Sequence, residues 1–128
     1  MEEKRLYGIR GATCTENNAE SITKAVGELC DAVFKAHNME TADIVSIQFT
    51  VTPDLDALNP ATALRRYKYA GIDTSSVPLF CSQEPVIKGM SPRVIRLLVT
   101  AYLPVGTAIS HQYMNGTQNL RPDLSERH

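Results

Sequence analysis

The chain has 128 residues, 43% of them hydrophobic, and a formal net charge of −1. That suffices for one domain spanning 1–128, burying roughly two-thirds of the surface its unfolded chain exposes. A near-neutral balance with no basic stripe or interleaved aromatics excludes an electrostatic argument for nucleic acid, and no apolar run approaches the roughly 20 residues of a membrane span. The opening MEEKRLYG carries acids where a secretory signal needs a basic region followed by an apolar one. Cys14, Cys30 and Cys81 are odd in number, widely spaced and without a CxxC pair, and His37, His111 and His128 do not cluster with them. This pattern argues against a disulfide framework and against a zinc site. The expectation is a soluble cytoplasmic protein with reduced thiols, no metal and no cofactor.

In chain order, residues 5–10 (RLYGIR) alternate as a short strand that GAT at 11–13 closes. Leu6, Gly8 and Arg10 fall on one face, with Tyr7 and Ile9 on the other. Glycines at 8 and 11 flank Arg10 and mark either close approach by a ligand or backbone, or a bulge. GIRG lacks the spacing and ending of a phosphate loop. Asn17 or Asn18 caps the following helix, and Asn17 with Glu20 resembles a capping box. Ile22, Ala25, Val26, Leu29, Val33 and Phe34 form its buried stripe through about Ala36, with Glu28, Asp31 and Lys35 on the solvated face and Cys30 as a small core residue.

Residues 44–52 (IVSIQFTVT) alternate, with Val45, Ile47, Phe49 and Val51 facing the core and Ser46, Gln48, Thr50 and Thr52 facing away. Asn59-Pro60 opens a second helix running to about Tyr69 with Arg65, Arg66 and Lys68. A loop over 71–76 leads to a short strand at 77–80, then a bend over 85–92 containing Gly89. Residues 94–102 read as a strand, with Ile95, Leu97, Val99 and Ala101 on one face and Arg96, Leu98, Thr100 and Tyr102 on the other. Beyond a turn at Pro104 and Gly106, residues 108–114 read as a last strand with Ile109, His111 and Tyr113 on one face. Asn115-Gly116 is a turn signal. The tail NLRPDL (119–124) has little helix or strand preference, and its two leucines predict docking on the body. Strand, helix, strand, helix and three strands predict an α/β (α+β) domain, with helices on one face of a mixed sheet.

Arg10, Arg65, Cys81, Glu84, Arg96, Tyr113 and Arg121 are the polar residues not obviously on solvated faces. Arg96 sits mid-strand between large apolar neighbours, where a guanidinium either meets a structural carboxylate or reaches solvent. The thiol and carboxylate shortly upstream favour a site instead. The set is rich in fixed positive charge and poor in proton-transfer machinery, with no Ser/His/Asp or Cys/His arrangement. It suits a small anion, because guanidinium forks bind carboxylates in a bidentate manner. It suits, too, a reaction whose rate depends on stabilising charge as that charge develops.

GIRGAT (8–13), TVTPDLDA (50–57), VPL..C.QE (77–84), PRVIRLL (92–98), H.Y (111–113) and LRPDLS (120–125) occur in this order along essentially the whole chain. Together they resemble the trimeric α/β-barrel class of monofunctional chorismate mutases. The resemblance implies a pseudo-α/β-barrel homotrimer with sites between subunits. The implied reaction is the Claisen-type rearrangement of chorismate to prephenate, on the route to phenylalanine and tyrosine. It implies that Arg96 stands beside the ether oxygen and one carboxylate, and that Arg10 and Tyr113 hold the enolpyruvyl carboxylate. Glu84 with Cys81 would receive the ring hydroxyl, Arg65 would lie near the mouth, and Leu120 with Arg121 would belong to a closing tail. Asn59, Ala61, Thr62 and Phe80 would line the rim. Asn59 and Thr62 depart from the Phe and the longer or charged residue common in such sequences, and Phe80 replaces a smaller residue. These departures imply weakened affinity more than weakened chemistry. Two other functions fit a trimer of this kind: an imine or enamine deaminase, and a non-catalytic binder of small carboxylates.

Overall fold

A computed structural model describes residues 2–67 and 72–123. Its centre is β4 (Val94–Pro104), where strict alternation buries Ile95, Leu97, Val99, Ala101 and Leu103 and leaves Arg96, Leu98, Thr100 and Tyr102 accessible. On one side β4 pairs antiparallel with β1 (Lys4–Cys14), on the other with β2 (Ile44–Val51). The sheet is completed by β3 (Leu79–Gln83), parallel to β2, and by the two-residue β5 (Gln112–Tyr113), parallel to β1. The strand order is β3-β2-β4-β1-β5. Parallel neighbours need a crossover, and α2 (Pro60–Arg66) supplies it between β2 and β3.

The buried stripe of α1 (Ala19–Ala36) covers one face of this sheet, with Ile22, Val26, Leu29, Cys30 and Val33 fully enclosed. Full burial of each such aliphatic side chain stabilises the fold by about 1.5–3 kcal/mol. Helices on one face of a mixed sheet is the arrangement that the order of elements predicts. Cys14, Cys30 and Cys81 are free thiols. No helix among the described residues is long and apolar enough to cross a membrane.

Several boundaries differ from expectation, each for an identifiable reason. GAT does not close β1; the strand runs on to Cys14 because its whole length finds register with β4. Asn18, not Asn17, caps α1, accepting from the Ser21 N–H at 2.8 Å, and the Asn17–Glu20 box is absent. Asn17 instead ties down the loop before α2. It donates to Asp56 Oδ1 at 2.8 Å and accepts from the backbone N–H groups of Asp56 and Ala57. A register shift between Ile44 and Ser46 leaves Val45 41% exposed, while Ile44 takes the core position. Thr52, placed on the polar face by alternation, is 2% exposed. The third strand begins two residues late and includes Cys81. Helix α2 ends at Arg66 with Tyr67 as its C-cap; Lys68, Tyr69 and Gly71 lie outside the described residues, as do Leu124 and Ser125 of the tail. The strand expected over 108–114 shrinks to β5, and the tail forms a 3₁₀ turn at Thr117–Leu120. Thr117, 1% exposed, anchors that turn, its hydroxyl 2.7 Å from Met114 O and 3.0 Å from Ala12 O.

Candidate active site

Register places the candidate residues in rows across the uncovered face of the sheet. One row reads Ser82–Thr50–Arg96–Ala12–Tyr113 through β3, β2, β4, β1 and β5. The next reads Phe80–Gln48–Leu98–Arg10. Arg10 and Arg96 are thus diagonal neighbours on one face of the sheet. The small, fully buried Ala12 lies between Arg96 and Tyr113.

The start of β4 is fixed by the TPD segment. Arg93 has φ +53, and the Asp54 carboxylate accepts its backbone N–H at 3.0–3.1 Å. Thr52 Oγ1 donates to Asp54 Oδ1 at 2.6 Å and accepts from the Val94 N–H at 3.0 Å. These residues of the TVTPDLDA string act as scaffold, setting the phase of the strand that delivers Arg96.

Glu84 follows β3 and folds back over Thr50 and Arg96. Its Oε2 accepts from Thr50 Oγ1 at 2.5 Å and from Arg96 Nε at 2.9 Å. The Arg96 side chain is 41% exposed and that of Glu84 15%. Arg96 therefore meets both halves of the ordinary expectation for a mid-strand arginine: it has a carboxylate partner and it reaches the surface. The bond uses Nε alone. Among the described residues, its terminal nitrogens and Glu84 Oε1 make no hydrogen bond. What remains open is a fork of donors beside one acceptor oxygen.

Tyr113, Arg10, His111 and Arg121 gather at the β5 side. His111 Nδ1 accepts the backbone N–H of Arg10 at 2.9 Å, and the charge of Arg121 acts on His111. Arg121 forms a bidentate pair with Asp123, at 3.0 and 2.8 Å. Leu120, half-buried, closes the preceding 3₁₀ turn.

The remaining predicted residues are not brought to this cluster. Asn59, Ala61, Thr62 and Arg65 belong to α2 or its cap, in the helix layer. Asn59 Oδ1 is occupied as the N-cap, accepting from the Ala61 N–H at 2.8 Å, and Ala61 is 7% exposed. Thr62 is half-buried and Arg65 exposed. Phe80 lies on the uncovered face, 66% exposed. Cys81 has the opposite parity, so its thiol packs against the core and burial raises its pKa. A protonated, inward thiol is a poor nucleophile. Its backbone points elsewhere. Ile47 N bonds Pro78 O, and Glu84 N bonds Val51 O. In a parallel ladder this directs the even residues of β3 toward β2 and turns the N–H and C=O groups of Leu79, Cys81 and Gln83 to the free edge.

Sequence reasoning assigned no site role to Thr50, Asp54, His37 or His111. Thr50 lies on the polar face of an alternating strand, and its pairing opposite Arg96 is set by register, which local alternation does not encode. His111 was visible only as part of the H.Y string. No group of His, Cys, Asp and Glu suited to a metal occurs among the described residues.

The fold and the face together define a class: a mixed-sheet domain carrying an arginine–glutamate pair on its uncovered face, a chemistry suited to a small anion. Residues 6–124 match the family model for chorismate mutase type I. The chain is 33% identical over 122 residues to chorismate mutase AroH of Bacillus subtilis (strain 168), covering 94% of this chain and 93% of that protein. It is 35% identical to chorismate mutase AroH of Thermus thermophilus, covering 93% and 96%. The solved chorismate mutase from Clostridium thermocellum superposes with a TM-score of 0.75 at 32% identity, over 88% of this chain and 98% of that one. The chain belongs to the type I chorismate mutase family.

Proposed function

We propose that the protein rearranges chorismate to prephenate at sites completed between neighbouring subunits of a homotrimer. The observation that carries this reading is the Glu84–Arg96 pair, fixed through one atom of each side chain and open through the rest. In the rearrangement the ether C–O bond breaks as a C–C bond forms, with no proton transfer and no covalent intermediate. The ether oxygen gains negative charge midway, and the terminal nitrogens of Arg96 are the permanent donors to meet it. Donors already oriented stabilise that charge without reorganising. Glu84 Oε1 accepts from the ring hydroxyl and faces the ring fragment as it becomes positive. Arg10 and Tyr113 hold the enolpyruvyl carboxylate, keeping the side chain folded over the ring.

Two features support shared sites. Leu6, Leu98, Tyr102 and Phe80 are 44%, 38%, 47% and 66% exposed on the same sheet face as the arginines, an apolar surface suited to a second copy. The α2 group with Arg65 lies in the helix layer, and Cys81 turns its backbone to the free edge of β3, so these groups share a pocket with Arg10 and Arg96 only through another subunit's uncovered face. Asn59, Thr62 and Phe80 form the rim of that pocket and raise KM more than they lower kcat. Family membership does not favour the deaminase or the inert binder. Loss of chorismate absorbance on adding purified protein is the test. Ammonia release from an enamine would indicate the deaminase, and unchanged chorismate would overturn the proposal. Sedimentation measures the trimer separately.

A further inference from the structure

Arg10 lies on β1 where the sheet runs out of partners. The β5 ladder covers only Gly11 and Ala12, so the Arg10 N–H on that side has no strand carbonyl. The His111 ring takes its place, Nδ1 accepting that N–H at 2.9 Å. The same device recurs one residue earlier. Ser110 N donates to His37 Nε2 at 2.9 Å, while His37 Nδ1 lies 2.7 Å from Val33 O. For His37, 7% exposed at the end of α1, one neutral tautomer satisfies both bonds: the proton on Nδ1, the lone pair on Nε2. For His111 the bond to Arg10 requires the opposite tautomer, with Nδ1 bare.

We infer that His37 and His111 form a brace of two neutral imidazoles, running from α1 through the 110–111 segment to β1, that positions Arg10 and the nearby Tyr113 for the substrate carboxylate. Both are positioning residues: each acts on backbone, and neither needs to touch the ligand. This rests on the reading of Arg10 and Tyr113 as carboxylate-binding residues.

Protonation opens the brace at His111, because a second ring proton would sit on Nδ1 and point at the Arg10 N–H. The charged and titratable groups acting on the ring are Arg10 on β1, His37 at the end of α1, and Arg121, itself paired with Asp123. Burial first, and then the fixed charges of Arg10 and Arg121, hold the imidazole below its ordinary value of 6.5. The folded state thus binds fewer protons than the unfolded chain below that value. The stabilisation is complete above about pH 6.5 and is lost as pH falls from there through the lowered folded pKa. Over the same acid range KM rises.

The experiment compares wild type, His111→Ala, His111→Asn and Arg10→Ala by kcat and KM across pH, with hydrogen exchange at the Arg10 amide. Asn Oδ1 can accept where Nδ1 does, and it does not titrate. His111→Ala is expected to raise KM about tenfold, as for a lost bond that strands a donor, with kcat little changed and Arg10 amide protection lost. His111→Asn is expected to restore protection and KM while removing the acid rise. A His111→Asn variant as impaired as alanine, or one that keeps the acid rise, overturns the brace. If Arg10→Ala raises KM and His111→Ala does not, the brace alone fails. If Arg10→Ala leaves KM unchanged, the role of Arg10 fails and the brace with it.

Discussion

Glu84 grips Arg96 by a single atom, Oε2 to Nε at 2.9 Å, and Thr50 Oγ1 holds the same oxygen at 2.5 Å. A surface ion pair of this exposure adds little to stability. Its consequence is geometric, because it fixes the plane of the guanidinium while leaving the outer fork open.

Replacing Arg96 by Ala or Lys should lower kcat by about 100-fold or more, as for other preorganised donors to a developing oxyanion. Lysine keeps the charge but loses both Nε and the fork. Near wild-type turnover in the alanine variant, measured by steady-state chorismate consumption, would remove Arg96 from the mechanism.

Thr50→Val retains the shape of the side chain and deletes one of the two hydrogen bonds to the Glu84 carboxylate. The expected loss in kcat is about tenfold, less than for Glu84→Ala, because the carboxylate is loosened without being removed. Equal losses in the two variants would mean that Thr50 has a direct role.

Cys81 turns its thiol to the core and its backbone to the free sheet edge, so Cys81→Ala should leave kcat within about threefold, the ordinary range for a change of about half a kcal/mol. A loss of two orders of magnitude would place the thiol in the reaction after all.

Truncation before Leu120 should raise KM with kcat nearly unchanged, since a closing tail contributes binding that is uniform between ground and transition states. Single-turnover and steady-state rates separate the two parameters. A fall in kcat at constant KM would show that the tail orders the reacting groups.

Tyr67 packs its ring directly on Gly27 of α1, where an added Cβ would lie about 2.0 Å from the ring. Gly27→Ala should therefore lower the melting temperature, although alanine favours a helix interior by about 1 kcal/mol. In the Tyr67→Ala background the same change should be stabilising, and a thermal double-mutant cycle checks the reversal.

The sequence by itself determined the layers and the identities of the charged residues. Alternation along 94–102 and the stripe of α1 are local periodicities, and hydrophobic burial makes them binding constraints on which face is covered. That is why alternation alone separates Arg10 from Ile9 and Arg96 from Ile95, and why the six strings in order point to the family. Only the tertiary structure decided what those residues touch. The extension of β1 past GAT, the bulge that expels Val45 and the shortening of the last strand depend on pairing partners far along the chain. So do the meeting of Thr50 with Arg96, the separation of Asn59, Thr62 and Arg65 from the arginine face, and the bond from Arg10 to His111. Such contacts join segments tens of residues apart, and the choice among competing backbone and side-chain partners is made by register, which no local pattern encodes.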